Sequence, residues 1–197
     1  MLELEHVRSL LKELGLTTAA EYLDAKLEDA AHSDSTYLSF LDELLQVESQ
    51  ERKRRSEETR IKLSRLPHRK TLEEFDFSFQ PSIDKRLIKE LSTLAFVARN
   101  ENVILLGPPG VGKTHLAVGL AVQALRAGMT VYYTSLSQLI ADLKKAVQQN
   151  RLDKKWRVYL RPDILIIDEV GYMQLDRESA ELLFRVICSR YENGSLS

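Results

Sequence analysis

A single cysteine, Cys188, in 197 residues leaves no internal disulfide framework and fits a reducing compartment. It lies among Leu182, Leu183, Phe184, Val186 and Ile187, the setting of a helix core residue. The four histidines, His6, His32, His68 and His115, are scattered without ligand spacing, so no histidine-based metal centre is expected. No apolar stretch approaches membrane-spanning length and the amino terminus has no signal-peptide plan; a cytoplasmic protein with no membrane partner is expected. Charge of either sign is not in excess overall: charged residues are 29% of the chain, yet the formal net charge is −1. Affinity for a polyanion must therefore come from local patches. No internal repeat is visible.

Against this background one segment carries specific chemistry. Gly107-Pro108-Pro109-Gly110-Val111-Gly112-Lys113-Thr114 follows the apolar run Val103–Leu106 and opens an apolar, helix-like segment beginning with His115. Strand, phosphate-binding loop and helix are expected in that order. Glycines let successive N–H groups turn inward as a cradle for phosphates at the positive end of a helix. Lys113 brings a mobile charge to phosphate oxygens, and Thr114 a hydroxyl suited to Mg²⁺.

A second apolar run, Ile164–Ile167, ends in Asp168-Glu169. It reads as a buried parallel strand, whose C-terminal end lies beside the phosphate loop in an open α/β sheet. Asp168 would hold the Mg²⁺ shell and Glu169 would polarise the attacking water. Asp168-x-x-Gly171 also fits a GTPase, but no Asn-Lys-x-Asp guanine reader occurs in the chain, and ATP is the preferred nucleotide.

Around these motifs the chain divides into residues 1–66, wholly helical and suited to DNA or partner contact; 67–80, a linker with an aromatic strand; and 81–197, the nucleotide-binding core. In the first part Leu4, Val7, Leu10, Leu11 and Leu14 recur at helical steps until Gly15 stops them. Thr18 and Glu21 can form a capping box. A third helix near Ser35 carries Tyr37, Leu38, Phe40, Leu41, Leu44, Leu45 and Val47 toward a core and runs on as a charged helix. Phe75, Phe77 and Phe79 alternate with polar residues like a strand with one aromatic face, which packs on the core most simply and stacks on a base as the alternative. A helix over about 82–99, a strand over 130–134, helices over about 136–149 and 151–160 with Trp156 as anchor, and a last helix over about 176–192 complete a β-α-β-α-β-α order.

Two basic clusters stand out. From Arg52, Lys53, Arg54 and Arg55 to Lys70, basic residues far outnumber Glu57 and Glu58. Lys144, Lys145, Arg151, Lys154, Lys155, Arg157 and Arg161 form the second, opposed by Asp153. Each is either a solvated helix face with i,i+4 pairs or a phosphate-binding surface.

Thr71-Leu72-Glu73-Glu74-Phe75-Asp76-Phe77, the loop with Thr114-His115-Leu116-Ala117, Leu165 to Tyr172, and Leu183-Phe184-Arg185-Val186-Ile187 closely resemble the IstB-like ATP-binding proteins, along essentially the whole chain. The resemblance implies an AAA+ ATPase of the helicase-loader (DnaC-like) clade, in which a small all-α domain precedes a parallel sheet sandwiched by helices. Such helpers assemble with ATP and Mg²⁺ on double-stranded DNA, recruit a cognate transposase and hydrolyse ATP. Carried onto this chain, Gly107 to His115 bind nucleotide, Lys113, Asp168 and Glu169 serve catalysis, and Thr114 and Asp168 hold the metal. Arg52, Lys53, Arg54, Arg55, Lys144, Lys145, Lys154 and Lys155 become candidate DNA contacts. Proteins of that kind continue past Asn193-Gly194 into a sensor strand, an arginine that reaches a neighbouring subunit, and a lid. This chain ends at Ser197, so impaired turnover is expected, since an arginine in trans is worth orders of magnitude in rate. Two alternatives remain: a replicative helicase loader, and a nucleotide-regulated assembly module with negligible turnover.

Overall fold

The computed structural model describes residues 2–33, 35–78, 80–172 and 174–193, and the chain divides into two compact units, 1–58 and 59–197. The division falls inside a helix, ahead of the boundary at residue 66 expected from composition.

The first unit contains α1 (Leu2–Glu13), α2 (Thr17–His32) and the greater part of α3 (Tyr37–Ser64). Gly15, at φ 73°, takes the left-handed conformation that ends α1, and the Leu16 N–H returns to the Leu11 carbonyl at 2.8 Å. Ala19, Leu23 and Leu44 form the core, with Leu4, Leu11, Leu16 and Phe40 packed on it. Tyr37, Leu38, Leu41 and Leu45 of the expected apolar stripe are instead exposed.

The expected Thr18 capping box does not form. The helix begins two residues earlier than such a cap would place it, with Leu16 as N-cap, and its first N–H groups are satisfied from α3: Glu48 Oε2 accepts from Thr18 N at 2.8 Å and Ala19 N at 3.0 Å. A buried carboxylate at a helix N-terminus meets both the orphan donors and the helix dipole.

In the second unit α4 (Lys85–Leu91) and α5 (Ala95–Ala98) replace the single helix expected over 82–99. The hydroxyls of Ser92 and Thr93 donate to the carbonyls of Lys89 and Glu90, and Leu94 turns left-handed at φ 62°. Side-chain competition for backbone carbonyls ends the helix there. The aromatic strand also fails. Asp76 accepts from the N–H and the hydroxyl of Ser78 in an Asx turn, and the Phe75 N–H turns back to the Leu72 carbonyl. Phe75 nonetheless packs as expected, with Ile88 and Leu116, and Phe77 flanks them; Phe79 lies outside the described residues.

Next come α6 (Lys113–Arg126), β1 (Val131–Ser135), α7 (Leu136–Gln148), α8 (Leu152–Leu160), β2 (Ile164–Asp168) and α9 (Arg177–Asn193). The strands pair in parallel, Val131 opposite Ile164 and Ser135 opposite Asp168. Strand alternation divides the side chains between two helical layers. Val131, Ile164 and Ile166 pack with Ala121, Ala124 and Leu125 of α6. Tyr132, Leu165 and Ile167 pack with α7, α8 and α9, where Trp156 joins as the sequence suggests. This α/β sandwich matches the expected layering.

Two polar devices fix where β2 begins. Asp163 accepts from the Thr130 N–H at 2.7 Å and hydroxyl at 2.8 Å. Arg190 of α9 donates to the carbonyls of Tyr159, Leu160, Pro162 and Asp163.

The strand expected at Val103–Leu106 is not paired with either strand of the sheet. Leu105 reaches the cluster of Phe75, Ile88 and Leu116, but Ile104 and Leu106 are 77% and 87% exposed. A strand exists through ladder partners, and apolar sequence alone does not supply them. Gly194–Ser197, where a further strand is expected to start, lie outside the described residues.

Candidate functional site

The loop Gly107–Gly112 runs into α6, with Gly112 as its N-cap at φ 90° and Gly110 at φ 82°. Both angles favour glycine. Gly112 is also required by contact: a Cβ there would lie 2.5 Å from Cε2 of Phe75. Lys113 Nζ donates to the carbonyls of Gly107 at 2.8 Å and Pro108 at 2.7 Å, so the loop closes around its own ammonium.

Thr114 and Asp168, 54 residues apart in sequence, meet here: the Thr114 hydroxyl donates to Asp168 Oδ2 at 2.8 Å. The Tyr133 hydroxyl donates to the same oxygen at 2.8 Å, and the Glu169 N–H donates to Oδ1 at 2.8 Å. Burial pushes the Asp168 carboxyl up, but the Tyr133 and Thr114 hydroxyls, the Glu169 N–H and the Lys113 charge outweigh it and hold the group below its ordinary value. Burial, reinforced by the Asp168 carboxylate, pushes the Tyr133 hydroxyl up, so it remains a donor. Glu169 is exposed and left-handed at φ 62°. A non-glycine residue in that region stores strain of the kind found at functional sites.

The donor set suits Mg²⁺. It offers one carboxylate and one hydroxyl, both hard oxygens, and Mg²⁺ takes one or two protein ligands with waters and phosphates completing its shell. Thr114 and Asp168 already touch, so no rearrangement of the backbone is needed to bring them together.

His115 lines a cleft beside the loop together with Gly110, Val111 and Gly112. Its Nε2 pairs with the Thr71 carbonyl at 2.8 Å, and its ring meets Phe75 edge-on at 5.2 Å. It ties the 71–77 segment to α6. Between that segment and the loop lies a cleft of about 430 Å³ bordered by Lys70, Phe75, Asp76, Gly110, Gly112 and His115. Its volume falls in the range of small-molecule sites.

The basic candidates differ in their surroundings. Arg52 donates to Glu48 and to the Gly15 carbonyl. Arg54 bridges Glu51 and Glu58, and Arg55 reaches Glu51, Thr17 and Thr18. The Arg54 guanidinium holds the Glu51 carboxyl down to about 2. Lys53 is exposed. In the second unit Lys144 pairs with Asp176 and Glu178, and Lys155 with Asp142. Lys145 and Lys154 are exposed and line a groove of about 360 Å³ between α7 and α8 with Gln149, Arg151 and Lys155.

Tyr133 and Phe75 are the contributors that motif reading missed. The alternation of Phe75 points to core packing or base stacking, and its contact with Gly112 does not follow from spacing. For Tyr133 a signal did exist: strand alternation sends one of Tyr132 and Tyr133 to the face occupied by α6.

Comparison with known proteins identifies the family. The sequence model of the family described as "IstB-like ATP binding protein" matches residues 9–197. A protein of insertion sequence IS5376 from Geobacillus stearothermophilus is 45% identical over 98% of this chain and 76% of its own length. One of insertion sequence IS21 from Pseudomonas aeruginosa is 48% identical over 95% and 71%. A third, of insertion sequence IS232 from Bacillus thuringiensis subsp. berliner, is 39% identical over 91% and 76%. Each carries ATP binding in its name.

Proposed function

The chain belongs to the IstB-like ATP-binding protein family, and from that premise we propose that it is a DNA-dependent ATPase that assists transposition. In this reading it binds ATP with Mg²⁺, assembles with copies of itself on double-stranded DNA in the cytoplasm, and recruits the cognate transposase. The insertion-sequence names of its relatives support the setting. The helix-rich α/β architecture with its parallel strands suits an AAA+ core.

The observation that carries the nucleotide reading is the direct bond between Thr114 and Asp168, which unites two motifs from distant parts of the chain. Lys113 exchanges its two carbonyl partners for phosphate oxygens and neutralises their charge. The N–H groups at the start of α6 orient the phosphates. Thr114 and Asp168 would hold Mg²⁺, which when bound offsets the charge developing on the β- and γ-phosphates. Asp168, kept anionic by its donors, stays a ligand rather than a base. Glu169, exposed beside Asp168, polarises the attacking water. Lys145 and Lys154 bind DNA phosphates without reading sequence, and counterion release supplies the affinity.

Phosphate release measured with and without duplex DNA tests the reading. Turnover that rises with DNA supports it. ATP-dependent assembly without DNA stimulation would replace it with a nucleotide-regulated assembly module, and absence of nucleotide binding would overturn it.

A further inference from the structure

Tyr133 and Asp168 stand on adjacent parallel strands, two positions out of register: Tyr133 is opposite Ile166, and Asp168 is opposite Ser135. Residues two apart share a strand face, so the pair are diagonal neighbours, about 7–8 Å apart at the backbone and within reach of an aromatic side chain. The phenol spans that diagonal and its hydroxyl donates to Asp168 Oδ2 at 2.8 Å, opposite in origin to the Thr114 hydroxyl that donates to the same oxygen. With the Glu169 N–H on Oδ1, both carboxylate oxygens accept hydrogen bonds that restrain rotation of the group about its bond to Cβ. Tyr132, the neighbouring tyrosine, faces the other way and meets Tyr159 edge-on in the hydrophobic core. The two aromatic residues thus do different work, and only Tyr133 reaches the candidate metal site.

We propose that Tyr133 is a positioning residue for Mg²⁺-nucleotide binding, its hydroxyl fixing the Asp168 carboxylate in the orientation that Thr114 and the metal require. The inference rests on the reading of Thr114 and Asp168 as the Mg²⁺ residues. Phenylalanine at 133 keeps the ring and its packing and deletes only the donor. Partners of metal ligands set ligand orientation, and their loss typically lowers metal affinity by about 10–100-fold.

The test is equilibrium binding of a fluorescent non-hydrolysable ATP analogue in Mg²⁺ and in EDTA, for the wild type, Tyr133→Phe, Asp168→Asn and the double variant, with melting curves alongside. Tyr133→Phe is expected to bind as wild type in EDTA and about tenfold more weakly in Mg²⁺. In the Asp168→Asn background the same change is expected to add nothing. Tyr133→Met, which also lacks the hydroxyl, is expected to repeat the Mg²⁺-specific loss. Unchanged binding of Tyr133→Phe in Mg²⁺, or an equal loss in both media, overturns the inference while leaving the nucleotide site intact. A wild type that gains nothing from Mg²⁺ overturns the metal reading and this inference with it.

Discussion

The Phe75 ring rests on Gly112, the residue that caps α6 and precedes Lys113. The contact is close enough that glycine is required on two grounds, its φ of 90° and the 2.5 Å separation that any Cβ would meet. Gly112→Ala is therefore expected to lower the melting temperature by several degrees and to weaken nucleotide binding. Adding Phe75→Ala removes the steric term but leaves the backbone strain of about 1–2 kcal/mol, so the double variant is expected to recover nucleotide binding only in part. Full binding by Gly112→Ala would show that both the ring and the backbone accommodate the Cβ freely.

Lys113→Ala removes the ammonium proposed to meet phosphate, and is expected to abolish ATP binding without altering the circular dichroism spectrum. Titration with a fluorescent analogue checks this. Retained affinity would move the nucleotide away from the loop.

Glu169→Gln keeps the size and left-handed backbone of Glu169 while deleting its basicity. Binding is expected to persist while phosphate release falls by about 100-fold or more, the scale of a lost general base. Light scattering should then report a long-lived ATP-bound assembly. Equal turnover would remove Glu169 from catalysis.

Glu48 contributes acid sensitivity to the first unit. Burial pushes its carboxyl up, but the N–H groups of Ala19 and Thr18 and the charge of Arg52 prevail and hold it below 4.5. Its contribution is complete above that unfolded-state value and is lost as pH falls through the lower folded one. Glu48→Gln is expected to cost about 1–3 kcal/mol at neutral pH and to flatten the fall in melting temperature on acidification. Parallel melts of both proteins at neutral and acid pH decide it.

The basic groups can be ranked by what they already hold. Lys145→Ala with Lys154→Ala is expected to reduce the salt slope of duplex binding by about one per lysine. Arg54→Ala, whose guanidinium is bridged between two glutamates, is expected to change it less. The opposite ranking in salt titrations would return the interface to α3.

The sequence disclosed what is local. The glycine loop, Lys113, Thr114, the run into Asp168, and the approximate bounds of α7, α8 and α9 follow from spacing and turn chemistry. What it concealed depends on partners distant in the chain. Glu48 replaces the Thr18 cap from 30 positions away. Val103–Leu106 has the composition of a strand but no ladder. The Asx turn at Asp76 defeats an alternating pattern that reads as β, because a carboxylate two residues before an N–H can bind it. The diagonal from Tyr133 to Asp168 needs the register of two strands, which periodicity does not fix.

In the proposed reading, the double grip of Lys113 on Gly107 and Pro108 makes ligand capture an exchange rather than a simple gain. Whatever free energy the ammonium wins from a phosphate is measured against two backbone bonds it must surrender. A diphosphate and a triphosphate that both release the lysine face the same toll, so preference between them falls to groups beyond the ammonium. Carbonyls freed in the exchange must find water or refold, which couples the shape of the Gly107–Gly110 backbone to the state of the nucleotide.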